Sequence, residues 1–130
     1  MTSERARVGA VIGVILGTAV DRFDAMRRFY VETLGMAVRT DRPGHVNFQW
    51  GETRLTIGVH DGVSGAASDP RRLLINLAVD DIEAVAAGLR AAGVTFLREP
   101  SAEPWGGVIA TFEDPDGNTL QLMQLPPGGE

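Results

Sequence analysis

The chain has no cysteine and no lysine. The first absence excludes disulfides, thiolate catalysis and zinc–thiolate sites. The second excludes Schiff-base chemistry, which needs a lysine amine. All 12 basic residues are therefore arginine, a bias that a GC-rich coding sequence produces without functional cause. Histidine is scarce, with 2 residues, and aromatics make up only 6%. No apolar run reaches the roughly 18 residues of a membrane span. The longest, residues 8–20, is broken by Gly9, Gly13 and Gly17 and carries no signal-peptide cleavage pattern. That points to the cytoplasm and away from a membrane partner. Positive charge is in the minority, giving a net charge of −5. A polyanionic backbone suits such a chain poorly, so nucleic acid is not an expected partner.

What is present suits one soluble domain. A length of 130 residues fits a single domain, and 44% hydrophobic content supplies a core. The chain also reads as one unit written twice. Val20-Asp21-Arg22-Phe23-Asp24-Ala25 parallels Val79-Asp80-Asp81-Ile82-Glu83-Ala84. Each follows an apolar β-rich run, residues 11–16 and 73–79. Each opens a helical pattern: Phe23, Met26, Phe29, Tyr30 and Leu34 in the first, Ile82, Val85, Ala86 and Leu89 in the second. Asp21 and Asp80 are the expected N-caps, and Gly35 and Gly93 the expected stops. Three short strands should follow each helix: residues 37–41, 45–50 and 53–60, then 94–98, 107–112 and 119–125. Gly51-Glu52 reads as a tight hairpin turn, and Asp114-Pro115-Asp116-Gly117 as a second strong turn. Module 1 spans about 8–60, a Gly/Ala/Ser/Pro-rich linker 61–71, and module 2 about 72–125. The ends, 1–7 and 126–130, should fray. The fold class is α+β: two βαβββ modules forming a curved mixed sheet around a cleft.

Several of these segments resemble one known family. Phe29-Tyr30 with Leu34-Gly35, then Val79-Asp80-Asp81-Ile82, Ala92-Gly93-Val94 and Asp114-Pro115-Asp116-Gly117-Asn118 with Leu120 are similar to the vicinal-oxygen-chelate superfamily. That family includes glyoxalase I, extradiol dioxygenases, fosfomycin-resistance transferases, methylmalonyl-CoA epimerase and bleomycin-binding resistance proteins. The resemblance runs from about residue 11 to 124. It implies the fold, but not the activity. The family's metal enzymes use four inward-facing strand positions. Carried over, these fall at Ile15, Thr56, Leu74 and Gln121. Ile15 and Leu74 have no donor atom, and Thr56 and Gln121 are neutral. A divalent site wants His, Asp or Glu there. The resemblance thus implies a member without the usual metal ligands, and neither metal nor other cofactor is expected.

Strand alternation gives the cleft lining independently. Val46, Phe48 and Trp50, with Leu55, Ile57 and Val59, form the set that packs under a helix. The opposite parity puts Asn47, Gln49, Arg54 and Thr56 in the cleft, with Ile15 from the first strand. Module 2 contributes Leu74, Asn76, Thr111 and Gln121, with Trp105 at the rim. His45 and His60 share the inward stripe of module 1. They are the candidates for acid–base work or an unusual metal site, or else ordinary polar strand-end residues. Arg71-Arg72 could meet a carboxylate or phosphate, or end the linker in solvent.

The reading that follows is a metal-independent binding protein that sequesters a small organic ligand or drug, as bleomycin-binding relatives do. A homodimer is expected, with its clefts at or near the interface. The net negative charge points toward a cationic ligand. The alternative is an enzyme of the same family (lyase, isomerase or dioxygenase) working through His45 and His60.

Overall fold

A computed structural model of the chain describes residues 10–128. Segment 1–7, expected to fray, lies outside the described residues, as do residues 129 and 130 of the C-terminal segment. The element order is βαβββ twice. Module 1 holds β1 (Gly13–Thr18), α1 (Phe23–Arg28), β2 (Val38–Arg42), β3 (His45–Trp50) and β4 (Thr53–Val59). Module 2 holds β5 (Leu74–Ala78), α2 (Ile82–Ala91), β6 (Phe96–Ala102), β7 (Val108–Glu113) and β8 (Thr119–Gln124). Each module has its own four-stranded mixed sheet, ordered β1-β4-β3-β2 and β5-β8-β7-β6. In both, the first strand pairs in parallel with the last, and the remaining pairs are antiparallel. Among the described residues no strand pairing joins the two sheets.

The period-2 pattern sets which face packs. Leu16, Val46, Phe48, Leu55 and Ile57 of sheet 1 join Ala110, Phe112, Leu120 and Leu122 of sheet 2 in one apolar cluster with Phe23, Met26, Tyr30, Ile82 and Leu89. Met26, Tyr30, Ile57, Phe112 and Leu120 are wholly buried, each worth roughly 1.5–3 kcal/mol of burial. Val59, at the end of its strand, is part of the same parity set but half-exposed. The Trp50 side chain lies outside what is described.

The helix starts differ from the expected caps. In α1 the cap position is Arg22, not Asp21, and no side chain caps it. In α2 the cap is Asp81, not Asp80. Its Oδ1 accepts the Ala84 N–H at 3.1 Å, the three-residue reach that capping requires. Both stops are as expected: Gly35 and Gly93 have φ of 69° and 97°, a region L-residues avoid. After Arg28 the first helix widens into a π-turn, Phe29–Thr33, in which the Leu34 N–H reaches the Phe29 carbonyl. Phe29 packs on Phe112 of module 2, with ring centres 6.2 Å apart, while Tyr30 is fully buried beside it.

The turn at residues 114–118 clasps the two modules. The Asp114 carboxylate accepts from the Tyr30 hydroxyl at 2.7 Å, the Asp116 and Asn118 backbone N–H groups at 2.9 Å, and Asn118 Nδ2 at 2.8 Å. Asp116 accepts from Thr18 Oγ1 at 2.6 Å and Arg22 Nε at 2.5 Å. The segment between modules is pinned as well. Ala67 N–H donates to the Asp116 carbonyl, and Thr119 Oγ1 to the Pro70 carbonyl.

Candidate functional site

With the helices covering one face of each sheet, the opposite faces are left open. The sheet 1 face forms a hollow of about 490 Å³ lined by Ile12, Gly13, Ile15, Arg39, Thr40, Arg42, His45, Asn47, Arg54 and Thr56. The sheet 2 face forms one of about 310 Å³ lined by Arg71, Leu74, Leu97, Arg98, Thr111, Thr119 and Gln121. Of the expected lining, Ile15, Asn47, Arg54 and Thr56 fall on the first hollow, half-face 1, and Leu74, Thr111 and Gln121 on the second, half-face 2.

The parallel register sets Ile15 directly beside Thr56, and Asn76 beside Gln121. The four positions carried over from the family's metal enzymes therefore fall in two pairs, Ile15 with Thr56 and Leu74 with Gln121. Each pair lines one half-face. Neither pair supplies a charged donor. Among the described residues no three His, Asp or Glu side chains gather closely enough to hold a metal. These residues do not fit the family's metal.

Other expected residues have structural partners. Asn47 is buried, and its Oδ1 accepts both the Thr40 N–H at 3.1 Å and the Thr40 hydroxyl at 2.8 Å. This bond braces a bulge in β2, where the register slips between Val38 and Thr40. The bulge turns Thr40 and Arg42 to the same side as Asn47 and His45. Gln49 folds back onto the Gly51 carbonyl at the hairpin and lines neither half-face. Thr111 accepts from Gln121 Nε2 at 3.4 Å. Trp105 also lines neither half-face. Its indole covers Gly107 so closely that a β-carbon there would overlap the ring.

The histidines separate. His45 lines half-face 1, and its Nδ1 is buried with no partner among the described residues. His60 lies past the end of β4 and is not part of the lining. Its Nδ1 accepts the Gly62 N–H at 3.0 Å.

Sequence reasoning missed Arg39, Arg42, Leu97 and Arg98 on the half-faces. The first two depend on the β2 bulge, which alternation alone does not reveal. A further hollow of about 550 Å³ lies along the seam between modules. It is lined by Leu34, Met36, Asn76, Leu77, Ala78, Val79, Val85, Leu89 and Leu122, so Asn76, expected in the cleft, lines this hollow and neither half-face.

Two βαβββ modules, each with its own four-stranded mixed sheet and an open face, define the class of fold. The chain belongs to the Glyoxalase/Bleomycin resistance protein/Dioxygenase superfamily, whose family model matches residues 12–122. It is 29% identical over 109 residues to a bleomycin resistance protein of Klebsiella pneumoniae, covering 78% of this chain and 83% of that one. Its fold is similar to a glyoxalase family protein from Bacillus anthracis, with a TM-score of 0.72 at 23% identity over 93% of this chain and 98% of that one. It is also similar to a lactoylglutathione lyase from Agrobacterium tumefaciens, with a TM-score of 0.68 at 20% identity over 92% and 96% of the two chains. No helix among the described residues is long and apolar enough to cross a membrane.

Proposed function

We propose that this protein binds a small organic molecule without a metal, in a cleft completed by a second copy of the chain. The observation that carries the reading is the lining: Ile15 and Thr56 on one open half-face, Leu74 and Gln121 on the other, with Ile12 and Leu97 as apolar walls, five arginines around them and no carboxylate. Such a mixture suits an organic ligand better than a metal cation. The likeness to a protein named for bleomycin resistance favours sequestration of a drug or metabolite over its conversion.

The edge strands support the second copy. Each sheet has two edges. β2 and β6 carry charged residues and register breaks, the usual protection of a free edge. β1 and β5 carry no charged residue at all. Ile12, just before β1, is 76% exposed, Ile15 on β1 71% and Leu74 on β5 48%. β1 and β5 are equivalent strands of the two modules. A two-fold axis that sets β1 of one copy beside β5 of another does so twice, closing a dimer with two clefts. Each cleft then combines half-face 1 of one copy with half-face 2 of the other.

Thermal-shift screening of drugs and aromatic metabolites, run with and without chelator, tests the proposal. A ligand that raises the melting temperature equally with and without chelator is the expected result. Stoichiometric bound metal, or binding that chelator abolishes, contradicts it.

A further inference from the structure

We infer that the ligand is a small organic anion, its carboxylate, phosphate or phosphonate head held by Arg39, Arg42 and Arg54. The inference rests on the cleft reading above and names the ligand class for it. Arg22, Arg27, Arg72, Arg90 and Arg98 each reach a carboxylate. Arg39, Arg42 and Arg54 have no ion pair or side-chain hydrogen bond among the described residues, and all three line half-face 1. No carboxylate lines that hollow. The register sets them around one floor: Arg42 lies opposite His45 and Arg54 opposite Gln49, four residues apart along β3, with Asn47 and Thr56 between.

Three like charges on one small face repel one another unless an anion joins them. Guanidinium forks match carboxylate and phosphoryl oxygens two bonds at a time. The unpartnered Nδ1 of His45 leaves the same floor short of one hydrogen bond. Ile12 and Ile15 line the same hollow and give the ligand's body an apolar wall. The net charge of −5 had pointed to a cationic ligand. The local field in a cleft decides attraction at contact range, and here its sign is positive. A long polyanion is disfavoured, because the arginines lie within one hollow on an otherwise acidic chain.

Four probes with one ring and different heads test this on the full-length protein: benzoate, phenyl phosphate, benzamide and benzylamine. Binding is followed by NMR amide shifts at millimolar concentrations. Benzoate, phenyl phosphate or both should shift Thr56 and its neighbours, with affinity falling as salt is added, and the stronger of the two identifies the head group. Arg54→Gln should weaken that binding about tenfold, the loss of one charge-assisted contact. Arg28→Gln, on the exposed surface of α1, should leave it unchanged. If Arg54→Gln does not fold, Arg39→Gln and Arg42→Gln carry the same expectation. If benzamide or benzylamine shifts Thr56 as strongly as the anions, the cleft reading stands and the anion inference falls. If the anions shift other residues, if Arg54→Gln binds like wild type, or if a single-stranded oligonucleotide binds the arginines more tightly than either anion, the inference falls. If none of the four shifts the half-face, it falls as well, and the drug and metabolite screen then judges the cleft reading separately.

Discussion

The two modules share an element order and are held by different means. Module 2 is locally specified. Its helix has ten residues, an Asp81 cap and a glycine stop at Gly93. Module 1 has a six-residue helix, no capping side chain and a π-turn where a regular helix would continue. What it lacks locally it receives from module 2. Arg22 and Thr18 are held by Asp116, and Tyr30 by Asp114. The comparison teaches that the turn at residues 114–118 is more than the loop its composition suggests: it is the site through which module 2 orders the start of module 1. The half-faces differ in parallel. That of module 1 holds three arginines without acidic partners among the described residues, whereas that of module 2 holds one such, Arg71, beside Arg98, which Glu103 neutralises.

Substitutions can break this contrast, and their expected effects fall in order. Asp114→Ala removes the acceptor of four donors, one of them the buried Tyr30 hydroxyl. At about 1–3 kcal/mol for each buried donor left unpaired, it should cost about 3 kcal/mol or more in urea denaturation. Tyr30→Phe keeps the ring packed and deletes one buried bond, so about 1–2 kcal/mol is expected. Asp81→Ala removes a local cap and should cost about 1 kcal/mol. Hydrogen exchange sharpens the distinction. Asp81→Ala should loosen α2 alone, while Asp114→Ala should loosen α1, in the other module. Loss of protection confined to module 2 in both variants would show that the clasp does not order module 1.

Acid separates two carboxylates by sign. The Arg27 guanidinium beside Asp41 holds that carboxyl below its ordinary value. A depressed folded pKa means stability present above the unfolded value and lost as pH falls through the folded one. Asp114 behaves oppositely. Burial pushes it up, only partly offset by the hydrogen bonds from Tyr30 and Asn118. Its charge is therefore a cost above its folded pKa, and acidification through that pKa relieves the cost. Asp41→Asn should flatten the acid-side loss of stability, the smallest effect of this set. A steeper acid-side loss in that variant would contradict the assignment.

Much of the fold was legible because its signals are local and repeated. Alternation in Val46, Phe48, Leu55 and Ile57 gave the packed face, and Gly35 and Gly93 gave the helix ends. The caps were misplaced because Asp80 and Asp81 adjoin, and only backbone geometry decides which one reaches Ala84. Ile15, Thr56, Leu74 and Gln121 could be placed because parity and family spacing agree on them. Arg39 and Arg42 could not, since a bulge changes parity without a mark in composition. Gln49 and Trp105 were read as facing a ligand, and local contacts that periodicity does not reveal hold them off the half-faces; Asn47 lines half-face 1, with its Oδ1 taken by Thr40. The division of the lining into two half-faces is a matter of tertiary packing, beyond the reach of any local pattern.

The central claim is that one cleft needs two chains, and complementation between two blocked variants tests it most directly. Thr56→Trp should fill half-face 1, and Gln121→Trp half-face 2, so neither homodimer should bind a ligand of the parent protein. A heterodimer of the two, purified through different tags, would have one cleft blocked on both sides and one free on both. The account predicts that this heterodimer regains binding of one ligand per dimer. A heterodimer that forms and binds nothing would place both half-faces of each cleft in a single chain and contradict the account.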